Sequence, residues 1–443
     1  MSDPRVRAGT AGVACAGAFV TALSTSLVAV AAPGMARDLG VVQADVGWVL
    51  SAYLLTTSCL LAGAGRLADV LGRRKVYLTG FSIFAIAGLL CGLAPTLGAL
   101  VAARVVQGLG ACAVMATSPA LVTRAFPAEL RARGLGIQLA ATYTGLTLGP
   151  TIGGAITSAL GWHAVFFAVA AGSTIPLALA YRWLEPDEPP ERERPPLDVA
   201  GSALVALALA AILVALRRGP EGATGQAAAL LALAAGAGVV FVRHEAKHPA
   251  PVLPLSLLRT PAFAFGIAGA TILYVVVFVL AWLLPFHLQH ARGMDARHAG
   301  AIMTAQPATM ALVAPMSGWI ADRFGPRLPS VAGMLVIAGG MWLAGRASAS
   351  SDADLALALA VVGVGSGLYV APNNAVIMTA APRERQGTAG AMAATARNAG
   401  MTCGVALAVV LHDATSFRGA LGVAAAIALA GALLGVVRPV KAS

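Results

Sequence analysis

Long apolar stretches alternate with short polar segments along the whole chain. In the first part of the sequence the apolar stretches lie at about 11–32, 46–64, 76–94, 97–121, 134–158 and 163–181. A helix needs roughly 20 apolar residues to cross the hydrocarbon core of a bilayer. We therefore predict six membrane-spanning helices here, called predicted helices 1 to 6.

A polar segment rich in Pro, Glu and Arg, 184–198, interrupts this alternation. Two apolar stretches follow at about 199–216 and 225–242, and six more at about 263–288, 299–320, 328–345, 355–379, 387–411 and 419–437. Their lengths predict eight further membrane helices, fourteen in all. The predicted architecture is an all-α integral membrane protein with an N-terminal six-helix bundle (1–183), a cytoplasmic linker (184–198), two extra central helices with a connecting loop (199–262) and a C-terminal six-helix bundle (263–443).

Composition supports a membrane protein over a soluble one. Hydrophobic residues make up 58% of the 443 residues and charged residues 11%, and the mean hydropathy is +0.81, outside the usual range of soluble domains. The net charge of +11 could indicate nucleic-acid binding, but the basic residues lie mostly in alternate loops, as the positive-inside rule requires. We predict a multi-pass protein of the plasma (inner) membrane, with both termini in the cytoplasm and no nucleic-acid partner.

Residues for catalysis or metal binding are not grouped in the sequence. The five cysteines lie inside apolar stretches without a C-x-x-C pair, which gives no sign of a metal site or a disulfide framework. No segment combines a nucleophile, an acid pair or a cluster of metal ligands. We therefore predict neither an enzyme nor a bound cofactor.

A charged stretch between predicted helices 2 and 3 has a second copy in the chain. The first copy spans 65–75 and the second 318–327, and both fit G-x-[LI]-A-D-x-[LF]-G-x-R. We predict a short loop whose glycines permit a tight turn and close approach of the helices. In the first copy, Asp69 lies among four basic residues that can hold it ionised. A solvated loop that anchors helix ends is the plainer alternative.

The repeated motif resembles the loop between helices 2 and 3 of the major facilitator superfamily. In that family the loop is a conformational lock, whose carboxylate engages basic residues and a helix end of the other half. The resemblance implies that Asp69, Arg73, Arg74 and, in the second copy, Asp322 bias the equilibrium between inward- and outward-facing states.

Arg104 stands about 10 Å inside predicted helix 4, where an unpartnered cation costs a few kcal/mol. The stretch reads Arg104-Val105-Val106-Gln107-Gly108, and R-x-x-Q-G on this helix is linked in the family to proton coupling. The alternative is that the side chain extends to the outer membrane surface.

Predicted helix 5 carries closely spaced glycines around a proline, namely Gly145, Gly149, Pro150, Gly153 and Gly154. A four-residue Gly spacing lets two helices approach closely, and ordinary tight packing is one interpretation. The pattern G-x-x-x-G-P-x-x-G-G also resembles the antiporter signature of the superfamily's exporters. With fourteen predicted helices, the likeness is to the fourteen-helix drug:proton antiporter branch, and it covers nearly the whole chain.

Predicted helix 1 departs from that branch. Ser24 occupies the position of its usual Asp and Ala29 that of its Asn, while the acidic residues of this chain fall in loops or at helix ends. In that branch the Asp is the carboxylate often held to carry protons, so the resemblance does not identify a proton-carrying residue in this chain. Asp69 could titrate through the lock. Asp45, at the start of predicted helix 2, could reach toward Arg104, although an N-cap role is the favoured interpretation.

Polar and aromatic residues on several predicted helices are candidates to line a substrate cavity. They are Ser24, Gln138, Thr142, Tyr143, Tyr274, Phe278, Trp282, Met303, Gln306 and Arg397. Lipid contact or packing is the alternative for these side chains. The two cations inside predicted helices, Arg104 and Arg397, favour neutral or anionic cargo.

The resemblance implies an exporter of small hydrophobic or amphiphilic compounds, such as drugs, antibiotics or dyes, that works by proton antiport and alternating access. We predict a monomer whose partners are its substrate, protons and membrane lipids. Because Ser24 replaces the usual acid, an alternative is a lipid or hydrophobic-metabolite exporter without classical proton antiport. A third hypothesis, a membrane sensor or scaffold, gives no reason for the lock motif and Arg104 to occur together.

Overall fold

A computed structural model describes residues 4–127, 130–187, 198–218, 224–248, 255–382 and 385–437. These residues form α-helices joined by short turns, and the described ranges contain no β-strand. The helices of the first part are α1 (Pro4–Asp38), α2 (Gln43–Leu71), α3 (Arg73–Gly92), α4 (Leu97–Ala125), α5 (Arg131–Leu160), α6 (Trp162–Trp183), α7 (Val199–Arg218) and α8 (Thr224–Glu245). Those of the second part are α9 (Pro261–Phe286), α10 (Ala296–Met303), α11 (Ala305–Phe324), α12 (Arg327–Arg346), α13 (Asp352–Ala380), α14 (Gln386–Ala414) and α15 (Phe417–Val437).

Every apolar stretch of the sequence falls on an α-helix, and one of them is divided. The stretch at 299–320 is split into α10 and α11 by a turn at Thr304. The all-α prediction is therefore confirmed. Most of the linker, 188–197, and part of the connecting loop, 249–254, lie outside the described residues.

Eleven helices in the described ranges are long and apolar enough to cross a membrane. They belong to α1–α4, α6, α8, α9 and α12–α15. The chain is thus a multi-pass membrane protein. The other three predicted spans correspond to α5, to α7, and to α10 and α11 together. These helices are not among those long and apolar enough to cross a membrane. In α5 the many Gly and Thr residues lower the hydropathy, and the count of fourteen stays a prediction.

The predicted loops at 65–75 and 318–327 are wrong, because both motifs are almost entirely helical. Helix α2 continues to Leu71, and Gly72 alone separates it from α3. In the second copy α11 continues to Phe324, and the turn is Gly325 and Pro326. Both glycines have positive φ angles, 102° and 78°, which a residue without a Cβ adopts at little cost. The predicted loops began where the apolar stretches gave way to polar residues. The helices instead continue through those polar residues and end at a glycine that can adopt a positive φ angle.

The chain forms two compact units. The N-terminal unit comprises Met1–Ala203 with the short segments His248–Val252 and Asp295–Gly300, and the C-terminal unit comprises Leu204–Lys247, Leu253–Met294 and Ala301–Ser443. The predicted four-part division remains an expectation.

The two units repeat one scheme of helix packing. In the N-terminal unit α1 packs against α5 and α6, α2 against α4, and α3 against α4 and α6. In the C-terminal unit α9 packs against α14 and α15, α11 against α13, and α12 against α13 and α15. Helices α1 to α6 thus correspond, in chain order, to α9 and α11 to α15, and corresponding helices pack against corresponding neighbours. The repeat that the sequence shows in one short motif therefore extends through six packed helices of each unit.

Glycine pairs set two close helix crossings, one in each unit. A Cβ at Gly110 of α4 would lie 2.6 Å from the carbonyl oxygen of Gly80 on α3. In the C-terminal unit, a Cβ at Gly365 of α13 would lie 2.6 Å from the carbonyl oxygen of Gly333 on α12. Both crossings depend on the absence of a side chain, so backbone meets backbone at equivalent places in the two units.

Candidate functional site

Arg104 is the central residue of the site and lies in the interior of the N-terminal unit with none of its surface exposed. Its Nε donates to the carbonyl oxygen of Val49 on α2 at 3.0 Å. Its Nη1 donates to Oε1 of Gln107 at 2.6 Å. The alternative, in which the side chain extends to the outer membrane surface, is therefore wrong, because groups of α2 and α4 hold it inside the protein.

Aromatic rings flank the same guanidinium group. Its central carbon lies 4.2 Å from the ring centroid of Tyr53 on α2 and 5.9 Å from that of Phe166 on α6. Ring faces attract a cation, so the two side chains stabilise the buried charge without supplying a counter-ion. Arg104, Gln107, Val49, Tyr53 and Phe166 together are called the Arg104 cluster below.

The spacing R-x-x-Q places Arg104 and Gln107 on one face of α4, because residues three apart on a helix are neighbours. Gln107 is also fully buried, and its Oε1 lies 3.8 Å from the thiol sulfur of Cys91 on α3. Two donors of this cluster, Nη2 of Arg104 and Nε2 of Gln107, are buried without a hydrogen-bond partner among the described residues. The motif thus builds a polar site that is only partly satisfied.

Gly108 explains how α2 comes close enough to reach Arg104. A Cβ at this position would lie 2.8 Å from Cβ of Thr56 and 3.1 Å from the carbonyl oxygen of Tyr53, both on α2. The glycine therefore seats α2 on α4 beside the ring that covers Arg104. Sequence reasoning quoted Gly108 without assigning it this role, although its place directly after Gln107 was the available signal.

Ser24, the predicted cavity residue of α1, is fully buried. Its hydroxyl group has no hydrogen-bond partner in the described part of the chain. The next residue, Thr25, donates its hydroxyl hydrogen to the carbonyl oxygen of Thr21 within α1, at 3.3 Å.

Asp45 lies in the first turn of α2, but the N-cap position belongs to Val42. The N-cap interpretation of Asp45 is therefore wrong. The contacts that hold Arg104 are with Val49, Gln107 and the two rings and do not include Asp45. Asp45 stands one helical turn before Val49, whose carbonyl group accepts from Arg104.

The turn at Gly72 carries the other group of predicted functional residues. Arg73 Nη2 and Asp69 Oδ1 form an exposed ion pair at 3.2 Å. The backbone N–H groups of Arg74 and Lys75 donate to the two carboxylate oxygens of Asp187, each at 3.0 Å. These N–H groups belong to the first turn of α3, which has no partner for them within the helix. Asp187 thus caps α3 from the segment that follows α6.

Gly72 makes this cap possible, because a Cβ at its position would overlap the carboxylate of Asp187. Asp187 was not singled out from the sequence, since its partner lies more than a hundred residues away and no spacing relates the two. A cavity of about 230 Å³ adjoins the cap. It is lined by Val6, Thr10, Arg73, Arg74, Leu121, Ala125, Leu184, Glu185 and Asp187. Asp322 of the second motif copy is exposed near the end of α11.

The glycines of α5 pack this helix against α1. A Cβ at Gly145 would lie 2.5 Å from the carbonyl oxygen of Phe19, and one at Gly153 would lie 3.0 Å from Cα of Leu27. The Ser26 hydroxyl group donates to the carbonyl oxygen of Gly145 at 3.4 Å, and a Cβ at Gly149 would overlap the Ser26 side chain. The four-residue spacing therefore forms one smooth helix face.

Two other members of the α5 motif do not lie on that face. Pro150 is buried inside α5, and a Cβ at Gly154 would overlap the carbonyl oxygen of Ala296, in the short segment Asp295–Gly300 of the same unit. An equivalent glycine face exists in the C-terminal unit, where Gly400 and Gly404 of α14 pack against the backbone of α9. The signal for it was the same four-residue spacing, without the proline.

The predicted cavity residues occupy different environments. In the N-terminal unit, Gln138, Thr142 and Tyr143 are half-buried on α5. In the C-terminal unit, Tyr274, Phe278, Gln306 and Arg397 are half-buried, while Trp282 and Met303 are buried. Trp282 packs 5.2 Å from Phe286, centroid to centroid. The Cβ atoms of Tyr274 and Phe278 face the smooth α14 surface at Gly400 and Gly404.

Each unit contains a set of six packed helices, many of them membrane-spanning, and one set holds a buried Arg–Gln pair. This arrangement is typical of a polytopic membrane transporter. The family model described as Major Facilitator Superfamily matches residues 14–284 and 266–443. The chain belongs to this family, as the repeated motif predicted.

Similar proteins include transporters with assigned names. The chain is 34% identical over 394 residues to the multidrug resistance protein Stp of Mycobacterium tuberculosis (strain CDC 1551 / Oshkosh), covering 88% of this chain and 73% of the relative. It is 30% identical over 408 residues to the tetracenomycin C resistance and export protein of Streptomyces glaucescens, covering 89% and 74%. A crystal structure of a D-xylose–proton symporter superposes with a TM-score of 0.71 at 15% identity over 98% of both chains, which shows the shared fold.

Proposed function

We propose that this protein exports small hydrophobic or amphiphilic compounds in exchange for protons, by alternating access about a cavity at mid-membrane depth. The observation that carries the proposal is the buried Arg104 cluster, an intramembrane charge that the fold holds with neutral groups alone. Charges inside membrane segments are rare and mark functional paths. The relatives named for drug resistance and export support efflux as the direction.

Arg104 is the coupling residue in this proposal. Its position depends on the carbonyl of Val49 in α2, and Asp45 precedes Val49 by one turn, about 5.4 Å along the axis. Protonation of Asp45 removes a negative charge from the first turn of α2, the helix whose Val49 carbonyl group holds Arg104. We propose Asp45 as the titrating acid in place of the carboxylate that Ser24 lacks, with Asp69 as the second candidate.

The contacts around Gly72 act as the conformational lock in the proposal. The ion pair of Asp69 with Arg73 and the cap formed by Asp187 fix the turn at the end of α2. We assign Arg74 and Asp322 to the same function, and the turn to the cytoplasmic side, where the positive-inside rule places it. The protein works as a monomer with both termini in the cytoplasm of the cell, as a multi-pass protein of the plasma membrane.

Transport into proteoliposomes tests the proposal. Vesicles with an acidic interior are given a panel of fluorescent hydrophobic cations and neutral drugs, and their uptake is compared for the wild type and Arg104→Gln. We expect uptake that follows the imposed gradient and is lost in the variant. Arg346→Gln is the matched control, because Arg346 is an exposed cation at the end of α12.

Two results would contradict the proposal. Uptake that proceeds equally without a gradient would remove proton exchange and revive the lipid or metabolite exporter, which the names of the relatives do not favour. Gradient-driven uptake that persists in Arg104→Gln would remove Arg104 from the coupling path.

A further inference from the structure

The Arg104 cluster has one feature that the proposed coupling does not use, which is a buried positive charge without a negative partner. The group is fully buried. Its contacts are a backbone carbonyl, an amide oxygen and two aromatic rings, all uncharged. No carboxylate of the described residues pairs with it, and its Nη2 has no hydrogen-bond partner among them.

A buried charge of this kind needs compensation. Removing an ion from water carries a large desolvation penalty, and an opposite charge in the low-dielectric interior offsets it most effectively. A water molecule would satisfy the hydrogen-bonding capacity of Nη2 but not the charge. The rings of Tyr53 and Phe166 attract the cation through their quadrupoles and also contribute no net charge.

We propose that Nη2 of Arg104 binds a small monovalent inorganic anion of the chloride class inside the N-terminal unit. A guanidinium group has five N–H donors. The bonds to Val49 and Gln107 leave the two hydrogens of Nη2 free to donate to an anion. A monovalent ion matches the single charge, and a spherical one needs few oriented donors.

The neighbouring residues agree with a ligand that accepts hydrogen bonds and carries negative charge. Gln107 presents a second buried donor without a described partner, its Nε2. The acids placed in the N-terminal unit near helix ends, Asp45 and Asp69, are not in contact with Arg104 and so do not replace the anion.

Binding of radioactive chloride to the wild-type protein in lipid nanodiscs tests the inference directly. The protein is first exchanged into gluconate, an organic anion much larger than chloride. We expect saturable binding at a single site per chain, competed by bromide and nitrate but not by gluconate. Arg104→Gln is expected to bind at least about tenfold more weakly, while the exposed control Arg346→Gln binds like the wild type.

The wild type alone can overturn the inference, even if Arg104→Gln does not fold. No saturable chloride binding above that of empty nanodiscs would show that the site holds water only. Equal binding by a folded Arg104→Gln would place the ion elsewhere. Because binding at equilibrium needs neither a proton gradient nor cargo, its failure is distinguishable from failure of the proposed transport.

A second measurement uses thermal unfolding of the wild type. Chloride is expected to raise the unfolding midpoint saturably relative to gluconate at equal ionic strength, since a ligand of the native state stabilises it by mass action. A midpoint that is the same in both salts would contradict the site.

Discussion

The close crossing of α3 and α4 provides the sharpest test of the packing described above. In Gly110→Ala the new methyl group would lie 2.6 Å from the carbonyl oxygen of Gly80 and 2.6 Å from the backbone nitrogen of Phe84. Both are backbone atoms of α3, so neither can turn aside as a flexible side chain would. The helices must move apart, and overpacking of this kind costs typically about 1–3 kcal/mol.

The change from Gly to Ala also stabilises a helix, by about 1 kcal/mol, and this contribution must be removed from the comparison. Gly172→Ala in α6 serves as the control, because a Cβ at Gly172 meets no atom within 4 Å. Both substitutions gain the same helix propensity, so the difference between their free energies of unfolding measures the cost of the steric overlap at Gly110. We expect Gly110→Ala to be less stable than Gly172→Ala by roughly 1–3 kcal/mol.

Unfolding of the purified protein in mixed micelles, with an increasing fraction of denaturing detergent, measures this difference. Gly365→Ala repeats the test in the C-terminal unit, where the Cβ would lie 2.6 Å from the carbonyl oxygen of Gly333. A Gly110→Ala protein as stable as Gly172→Ala would refute the close crossing, and with it the reasoning that seats α4 against α3.

Three further predictions concern the site. Gly108→Ala should lower gradient-driven transport several-fold, because the methyl group separates α2 from α4 and weakens the hydrogen bond of Arg104 to Val49. The control Gly98→Ala, with open space around its Cβ, should transport like the wild type. Tyr53→Phe should be as stable as the wild type in the same micelle unfolding assay, because it keeps the aromatic ring. Tyr53→Leu should lose about 1–2 kcal/mol, because the Arg104 cation loses its ring contact. Equal stability of the two variants would contradict that contact. Asp187→Ala should destabilise the protein by about 1 kcal/mol through loss of the α3 cap. Glu185→Ala, at an exposed position two residues earlier, should not, and equal effects would show that the cap contributes nothing.

The membrane helices could be located from the sequence because the bilayer requires long apolar stretches wherever a helix crosses it. Helix ends could not, as α2 shows. Its last turns carry Arg66 and Asp69, which are polar and yet helical, and the helix stops only at Gly72. Helix α5 shows the opposite problem, since Gly and Thr residues that serve packing weaken the apolar signal.

The chemistry of the site was only half visible in the sequence. Arg104 stood out as a charge inside an apolar stretch. Its partner on α2 could not be foreseen, because a backbone carbonyl such as that of Val49 leaves no mark in the sequence. Asp187 was hidden for a different reason, since a cap supplied from a distant segment depends on the folded arrangement of α3 and α6. Gly108 carried a signal that becomes interpretable only when the neighbouring helix is known.

The central claim is that cargo and protons move in opposite directions through a path that depends on Arg104. It is tested most directly by following pH inside proteoliposomes that contain a trapped pH-sensitive dye, when cargo is added outside with no gradient imposed. Exchange predicts that the interior becomes alkaline as cargo enters and protons leave, with the Arg104→Gln protein showing no change. A more acidic interior, or cargo entry without any change in pH, would contradict the account.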